Sequence, residues 1–348
     1  MGDLGIRAGS RGEGGAVMQI LDIHSHFFPK QWEDLQARFG GRDWPSLKHH
    51  GDGTAMVMKG QQKFRPIYDA CWDPDVRLRE MDQQGLCGQI LSATPLLFGY
   101  ERPVAQGEYI AKLFNDAAMA ICQRGRGRLF AMAQVPLQDI DAACAEASRA
   151  KSIGHVGVQI GSHINGRGMD DAGVFTFLQH CADEDIPVFV HPWDMMGADR
   201  TGDYMMGWTV GMPAETQLSI VSLILSGAFD RLSRKLKIAF AHGGGSFIFL
   251  LGRLENAWHH RDIARGRSEC PPSHYLDRFS LDSAVFDPGA LRLLVDKMGD
   301  QRVMFGTDYP FPLGEQKMGG LIRETEGLSE QSRERLYAGN AKAFFGIE

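Results

Sequence analysis

Two histidines one residue apart, His24 and His26, end the first strand-like segment of this 348-residue chain. The segment from Met18 to Ile23 is rich in β-forming residues, and alternate side chains of a strand point to the same face. Two neutral imidazoles on one side of a strand end form half of a transition-metal site. A lone histidine is more often a packed residue than a ligand, so the spacing of this pair is what favours a metal.

Three later strand-like runs also end on residues that can bind a metal or transfer a proton. Residues 186–191 end at His191, residues 236–242 at His242, and residues 302–308 at Asp308. We predict that His24, His26, His191 and Asp308 hold one zinc ion, because imidazole and carboxylate ligands suit that metal. Such an ion lowers the pKa of a coordinated water from 15.7 toward ~7, and His242 would serve as a general acid or base beside it.

Eight strand-like runs alternate with helical patterns along the chain. Several runs are apolar at consecutive positions, as expected for strands buried on both faces of a parallel sheet. The alternation predicts an α/β fold, a (β/α)8 TIM-type barrel, whose active site would lie at the C-terminal ends of the strands. The predicted strands are 18–24, 88–94, 129–135, 156–160, 186–191, 236–242, 279–282 and 302–307, and the predicted helices are 104–124, 139–151, 171–185, 214–230 and 328–346.

The connection between the first two strands, residues 27–87, is much longer than a strand–helix unit requires. Two apolar-rich runs within 54–69 predict a β-hairpin, and we expect this small insertion to cover the mouth of the barrel. Residues 1–17 are rich in glycine and charge and lack the apolar core of a signal peptide. We therefore expect a disordered leader, or a start at Met18, followed by one metal-dependent barrel domain over 18–348.

Composition limits the classes of partner. The net charge is only −6 and no long run of lysine and arginine occurs, which argues against nucleic acid or an anionic membrane as the main partner. No apolar stretch reaches the ~18 residues expected of a membrane span. Six cysteines without a C-x-x-C pair predict reduced thiols in a cytoplasmic protein.

Two arginines and two aromatic residues are candidates for substrate binding. Arg65 lies in the insertion, and Arg253 follows His242 on a predicted helix. A guanidinium group binds a carboxylate through two parallel hydrogen bonds, although single arginines are usually solvated. Trp208 and Phe311 flank the strand ends and would form the walls for a flat substrate, unless they are ordinary core residues.

Taken together, these residues and motifs resemble the amidohydrolase superfamily, and within it the metal-dependent decarboxylases. The similarity extends from about residue 18 to the C-terminus. Its most specific segments are DIHSHFFP (22–29), VHPWDMM (190–196), FAHGGGSF (240–247) and FGTDYPFPLGEQK (305–317). Residues 200–208 depart from the family pattern at Met206-Gly207, which affects the loop that carries Trp208.

The resemblance implies a zinc-dependent, non-oxidative decarboxylase that converts 2-amino-3-carboxymuconate-6-semialdehyde to 2-aminomuconate semialdehyde and CO2 without an organic cofactor. It implies that His242 is catalytic and that Arg65, Trp208 and Phe311 bind the substrate. It also implies a homodimer in which Arg253 reaches the neighbouring subunit's site. Tryptophan (kynurenine) catabolism and nitroaromatic degradation are both compatible pathways.

Two other functions are open at the level of sequence. A metal, a water and a base serve hydrolysis equally well, so a hydrolase or an aromatic-acid decarboxylase of the same superfamily is the first alternative. A non-catalytic metal-binding scaffold is the second, although five intact site residues argue against it. The order of water addition and loss of CO2 is likewise open.

Overall fold

The computed structural model describes residues 18–348, and the leader predicted for residues 1–17 lies outside them. Eight parallel strands form a barrel sheet in the order β1-β5-β6-β7-β8-β9-β10-β11, and three antiparallel strands form a second sheet. The strands β1 to β11, in chain order, are Leu21–Phe27, Pro45–His49, Thr54–Lys59, Gln62–Tyr68, Gly88–Ala93, Leu129–Ala133, Gly157–Gly161, Val188–His191, Ile238–Phe240, Ser280–Asp282 and Val303–Met304.

The barrel closes between β1 and the segment that follows β11. The Ile23 amide donates to the carbonyl of Phe305 (3.0 Å), the Asp308 amide to that of His24 (2.8 Å), and the His26 amide to that of Tyr309 (2.7 Å). The interior is apolar because side chains such as Ile23, Ile90, Phe189 and Met304 meet in one buried cluster. The predicted (β/α)8 barrel is thus confirmed.

The last strand is shorter than the predicted 302–307. The amide of Gly306 donates to the side-chain oxygen of Ser283, and the amide of Thr307 donates to the carboxylate of Asp22. Because the backbone N–H groups of Gly306 and Thr307 donate to side chains rather than to a neighbouring strand, β11 ends at Met304. The chain is then free to turn Asp308 toward the end of β1.

Helices surround the barrel, and several begin at an aspartate. The carboxylates of Asp73, Asp139, Asp171 and Asp287 accept backbone N–H groups of the first turns that follow them. The helices α1 to α13, in chain order, are Leu35–Phe39, Pro74–Gln84, Val104–Arg124, Ile140–Ser152, Ala172–Asp183, Met212–Leu225, Ala228–Arg231, Phe247–His260, Asp262–Arg265, Pro288–Met298, Gly320–Glu324, Glu330–Glu334 and Asn340–Phe345.

Two of the predicted helices are divided in the structure. The segment 214–230 forms α6 and α7, which are separated at Gly227, where φ is +68° and an added Cβ would lie 2.6 Å from the carbonyl oxygen of Arg267. The terminal segment 328–346 forms α12 and α13 joined by a wider turn at Arg335–Gly339. No helix within 18–348 combines the length and apolar character needed to cross a membrane.

The insertion is a three-stranded sheet, β2-β3-β4, rather than a hairpin alone. The predicted hairpin corresponds to β3 and β4, while β2 pairs with β3 from Pro45 to His49. The sequence pattern missed β2 because it is largely exposed and contributes little to a buried face. Val57 and Ile67 of the sheet pack with Phe28 in a buried cluster, which fixes the sheet beside the end of β1.

Candidate metal centre

Three imidazoles and one carboxylate converge at the C-terminal end of the barrel. His24 and His26 come from β1, His191 ends β8, and Asp308 follows β11. One potential ligand atom from each lies within 4.8 Å of the others. The Nε2 atoms of His24 and His26 are 3.2 Å apart, and Asp308 Oδ1 is 3.5 Å and 3.1 Å from them, respectively.

The remaining polar atoms of this group suit a metal ion. The Nδ1 atom of His191 lies 2.8 Å from the carbonyl oxygen of Pro192, whereas its Nε2 atom is buried without a hydrogen-bond partner among the described residues. A buried, unpartnered imidazole nitrogen beside two others and a carboxylate is costly unless it binds a cation. Three imidazoles and one carboxylate are a common ligand set for a divalent transition metal. The residues therefore fit the predicted ion.

Burial and neighbouring charges set the protonation of this group. Burial opposes protonation of His24, but its hydrogen bond with Asp282 and the nearby carboxylates raise its pKa above the usual value. Burial, with the charges of His26 and His24, holds the pKa of His191 well below its usual range. Burial opposes ionisation of Asp308, but its hydrogen bond with His26 and the nearby histidines hold the pKa of its carboxyl far below normal. A neutral imidazole and an ionised carboxylate are the forms that coordinate metals.

His242 stands beside the four potential ligands without being one of the group. Its ring centre lies 5.0 Å from that of His24 and 5.2 Å from that of His191. Burial and the neighbouring His24 lower the pKa of His242 to about 4, so the ring is neutral near pH 7. The backbone of His242 is left-handed, with φ of +54°, a conformation that costs energy in a residue with a Cβ. This geometry is consistent with a proton-transferring group held at a fixed place.

Arg65, Phe311 and Trp208 lie together next to this group. The Phe311 ring stacks on the ring of His26, with centres 5.4 Å apart. The guanidinium carbon of Arg65 lies 4.5 Å from the ring centre of Phe311 and 5.9 Å from that of Trp208. The three-stranded sheet therefore places the cation of Arg65 beside the candidate metal centre, next to the rings of Phe311 and Trp208, which come from later segments of the chain.

Arg253 is not brought to this group within the chain. It lies exposed on α8, and no hydrogen bond or ion pair joins its side chain to another of the residues 18–348. The contribution of Arg253 to a neighbouring subunit's site therefore stays a prediction.

The sequence reasoning missed one buried carboxylate that touches the group. Asp282 Oδ2 lies 2.6 Å from Nδ1 of His24, and both side chains are fully buried. Burial opposes ionisation, yet the hydrogen bond and charge of His24 lower the pKa of Asp282 below its normal value. The signal was available, because Asp282 ends the predicted strand 279–282 as the other site residues end theirs.

Comparison with known proteins agrees with this geometry. The sequence profile of the amidohydrolase family matches residues 21–347. The chain belongs to the amidohydrolase family. The resemblance inferred from the sequence motifs is thereby confirmed over nearly the whole chain.

Several proteins similar to this family member are decarboxylases. The 2-amino-3-carboxymuconate-6-semialdehyde decarboxylase of Dictyostelium discoideum is 40% identical over 330 residues, covering 94% of this chain and 92% of that protein. The enzyme of the same name from Caenorhabditis elegans is 32% identical and covers 94% of each chain. In fold, the chain is similar to a dihydroxybenzoic acid decarboxylase from Polaromonas sp. JS666 with bound manganese and an inhibitor (TM-score 0.75, 21% identity, 94% and 97% covered).

Proposed function

We propose that this family member is a metal-dependent, non-oxidative decarboxylase of 2-amino-3-carboxymuconate-6-semialdehyde, forming 2-aminomuconate semialdehyde and CO2. The observation that carries the proposal is the buried group of three imidazoles and one carboxylate at the barrel mouth. Two relatives at 40% and 32% identity, each aligned over 94% of this chain, are decarboxylases of this substrate, which supports the reaction.

His24, His26, His191 and Asp308 would hold the ion, and zinc is the metal that their mixture of imidazoles and carboxylate favours. When bound, a divalent ion supplies Lewis-acid chemistry: it polarises oxygen and makes water more acidic. The manganese of the structurally similar decarboxylase is the alternative to test. No organic cofactor is needed for loss of CO2 from such a conjugated acid.

His242 is the residue that we propose moves the proton. When the carbon–carbon bond to the departing carboxylate breaks, its electron pair stays on the carbon, and that carbon must take up a proton. Because the ring of His242 is neutral near pH 7, one of its nitrogens has a lone pair that can accept a proton. It would therefore take up a proton from solvent and deliver it to that carbon, so that one proton is consumed for each CO2 released, whether water adds to the substrate first or not.

Arg65 and the two aromatic rings would bind and orient the substrate. The guanidinium of Arg65 has no carboxylate partner among the described residues, so a substrate carboxylate can take that place. Trp208 is half-buried and would offer a flat face to a planar conjugated chain. Phe311 is buried against His26 and would act through its contact with the guanidinium of Arg65. Holding the other groups in one plane leaves the scissile bond free to turn out of it.

Assembly and location complete the proposal. Arg253 is exposed on α8 of the single chain. We propose a homodimer in which Arg253 of each subunit reaches the site of the other. All six cysteines are free, which favours a cytoplasmic compartment. The barrel and its insertion, residues 18–348, would act as one domain, in kynurenine catabolism or in nitroaromatic degradation.

The deciding experiment measures metal content and turnover in the same purified protein. Decarboxylation would be followed by loss of the near-ultraviolet absorption of the semialdehyde and by release of CO2, with zinc and manganese restored in turn after chelation. Activity proportional to bound zinc would support the proposal. A metal-loaded protein that leaves this substrate intact but decarboxylates 2,6-dihydroxybenzoate, or hydrolyses a lactone, would identify one of the alternatives instead.

A further inference from the structure

Asp282 connects two parts of the candidate site through its two carboxylate oxygens. Oδ2 lies 2.6 Å from Nδ1 of His24, and Oδ1 accepts the backbone N–H groups of Gly243 (2.8 Å) and Ala284 (3.1 Å). Gly243 directly follows His242 in the chain. One buried side chain therefore contacts a potential metal ligand on one side and the turn that carries the proposed proton carrier on the other.

The contact with His24 determines which ring nitrogen is free. A carboxylate accepts hydrogen bonds, so Nδ1 of His24 carries a proton, and in the neutral form that binds a metal it is the only ring proton. The lone pair is then on Nε2, the atom that faces His26 and Asp308. The opposite tautomer would place a hydrogen where the metal must bind and would leave two acceptors facing each other at 2.6 Å.

The contact with Gly243 supports a backbone that is unfavourable by itself. His242 has φ of +54°, and such a backbone in a residue with a Cβ persists only when its surroundings hold it. The fit around Asp282 is also tight. An added Cβ at Gly306 would lie 2.9 Å from Cβ of His24 and 3.0 Å from Cβ of Asp282, so a glycine is needed for the two side chains to meet.

We propose that Asp282 is a positioning residue, which holds His24 in its metal-binding tautomer and at the same time fixes the turn at His242. The inference rests on the proposed metal function of His24. It assigns to Asp282 no contact with the substrate and no part in the transfer of the proton.

Asp282→Asn is the sharpest test because it keeps the size of the side chain. The amide oxygen must face the two N–H donors of Gly243 and Ala284, since the NH2 group cannot accept from them. The NH2 group then faces Nδ1 of His24 and drives the ring proton to Nε2. We expect zinc affinity, measured by competition with a chelator, to fall about 10–100-fold. The visible spectrum of the cobalt(II)-substituted protein should change as well.

Asp22→Asn is the matched control. Asp22 is another fully buried carboxylate on β1, and it accepts the backbone N–H of His24 but does not touch the ring. Its other partners are Thr307 and Gln89, so its replacement should lower stability but should reduce zinc affinity and alter the cobalt spectrum much less than Asp282→Asn does. Equal losses of zinc affinity in both variants would mean general damage to the core and would overturn the proposal.

A measurement on the wild-type protein tests the proposal even if the variants do not fold. Asp282 raises the pKa of His24, so nitrogen-15 chemical shifts of the metal-free protein are recorded at alkaline pH, where the neutral ring shows one of its two tautomers. We expect the Nδ1–H form, and finding the Nε2–H form would overturn the proposal, as would wild-type zinc affinity in Asp282→Asn. Failure of the wild-type chain to bind zinc or manganese would instead refute the proposed function on which this inference rests.

Discussion

Replacement of Arg65 should have opposite effects on catalysis and on stability. The guanidinium lies over the ring of Phe311, half-buried, and has no carboxylate partner among residues 18–348. Burial lowers the pKa of Arg65, although the charge of the nearby Asp308 opposes this effect. A cation kept partly out of water without a partner is expected where a ligand supplies the opposite charge.

The expected size follows from the contact that a substrate carboxylate would make. A hydrogen bond to a charged group contributes about 1.5–3 kcal/mol, so Arg65→Met should reduce kcat/KM roughly 10–150-fold. Arg65→Lys keeps the charge but loses the planar fork and should be intermediate. Met retains apolar contact with Phe311 and removes the unpaired charge. The free energy of unfolding should therefore stay the same or rise by up to about 1 kcal/mol.

The assay compares kcat, KM, metal content and urea unfolding for wild type and both variants. The expected result is a rise in KM with unchanged metal content and undiminished stability. Near wild-type kcat/KM in Arg65→Met would refute the assignment of a carboxylate to Arg65. A loss of activity that is accompanied by a loss of stability would also refute it, because Arg65 would then be a structural residue.

Three further predictions test other parts of the site and fold. His242→Ala should retain bound metal and lose about 10²–10⁴-fold in kcat, and near wild-type turnover would exclude it as the proton carrier. Arg253→Ala should be inactive. If the site is shared across a dimer, mixing Arg253→Ala subunits with inactive His242→Ala subunits should restore activity. No restoration would contradict a shared site. Burial lowers the pKa of His155 from 6.5 to about 4. Between these two pH values the unfolded chain binds a proton at His155 and the folded chain does not. The free energy of unfolding therefore decreases as the pH falls below 6.5. In urea unfolding, His155→Gln should reduce the decrease between about pH 8 and about pH 5 by about 2 kcal/mol. An unchanged pH profile would show that His155 is not the cause.

Local sequence located the barrel strands to within a few residues and indicated which side chains stand near their ends. The alternation of side chains along a strand places His24 and His26 on the same face without any knowledge of the rest of the chain. The runs that end at His191 and His242 are apolar on both faces, which is the pattern of a parallel barrel strand. Because all strands of such a barrel end at one face, strand ends far apart in sequence could be placed together from sequence alone.

The tertiary structure decided which of these residues touch and in what state. Asp282 ended a predicted strand as clearly as His191 did, but only the closed barrel shows that its carboxylate meets Nδ1 of His24 at 2.6 Å. The insertion sheet likewise places Arg65 over Phe311, 246 positions later in the chain, through packing that no local pattern encodes. Sequence periodicity reports the face to which a side chain points, whereas contacts between distant segments depend on how all the strands and loops pack at once.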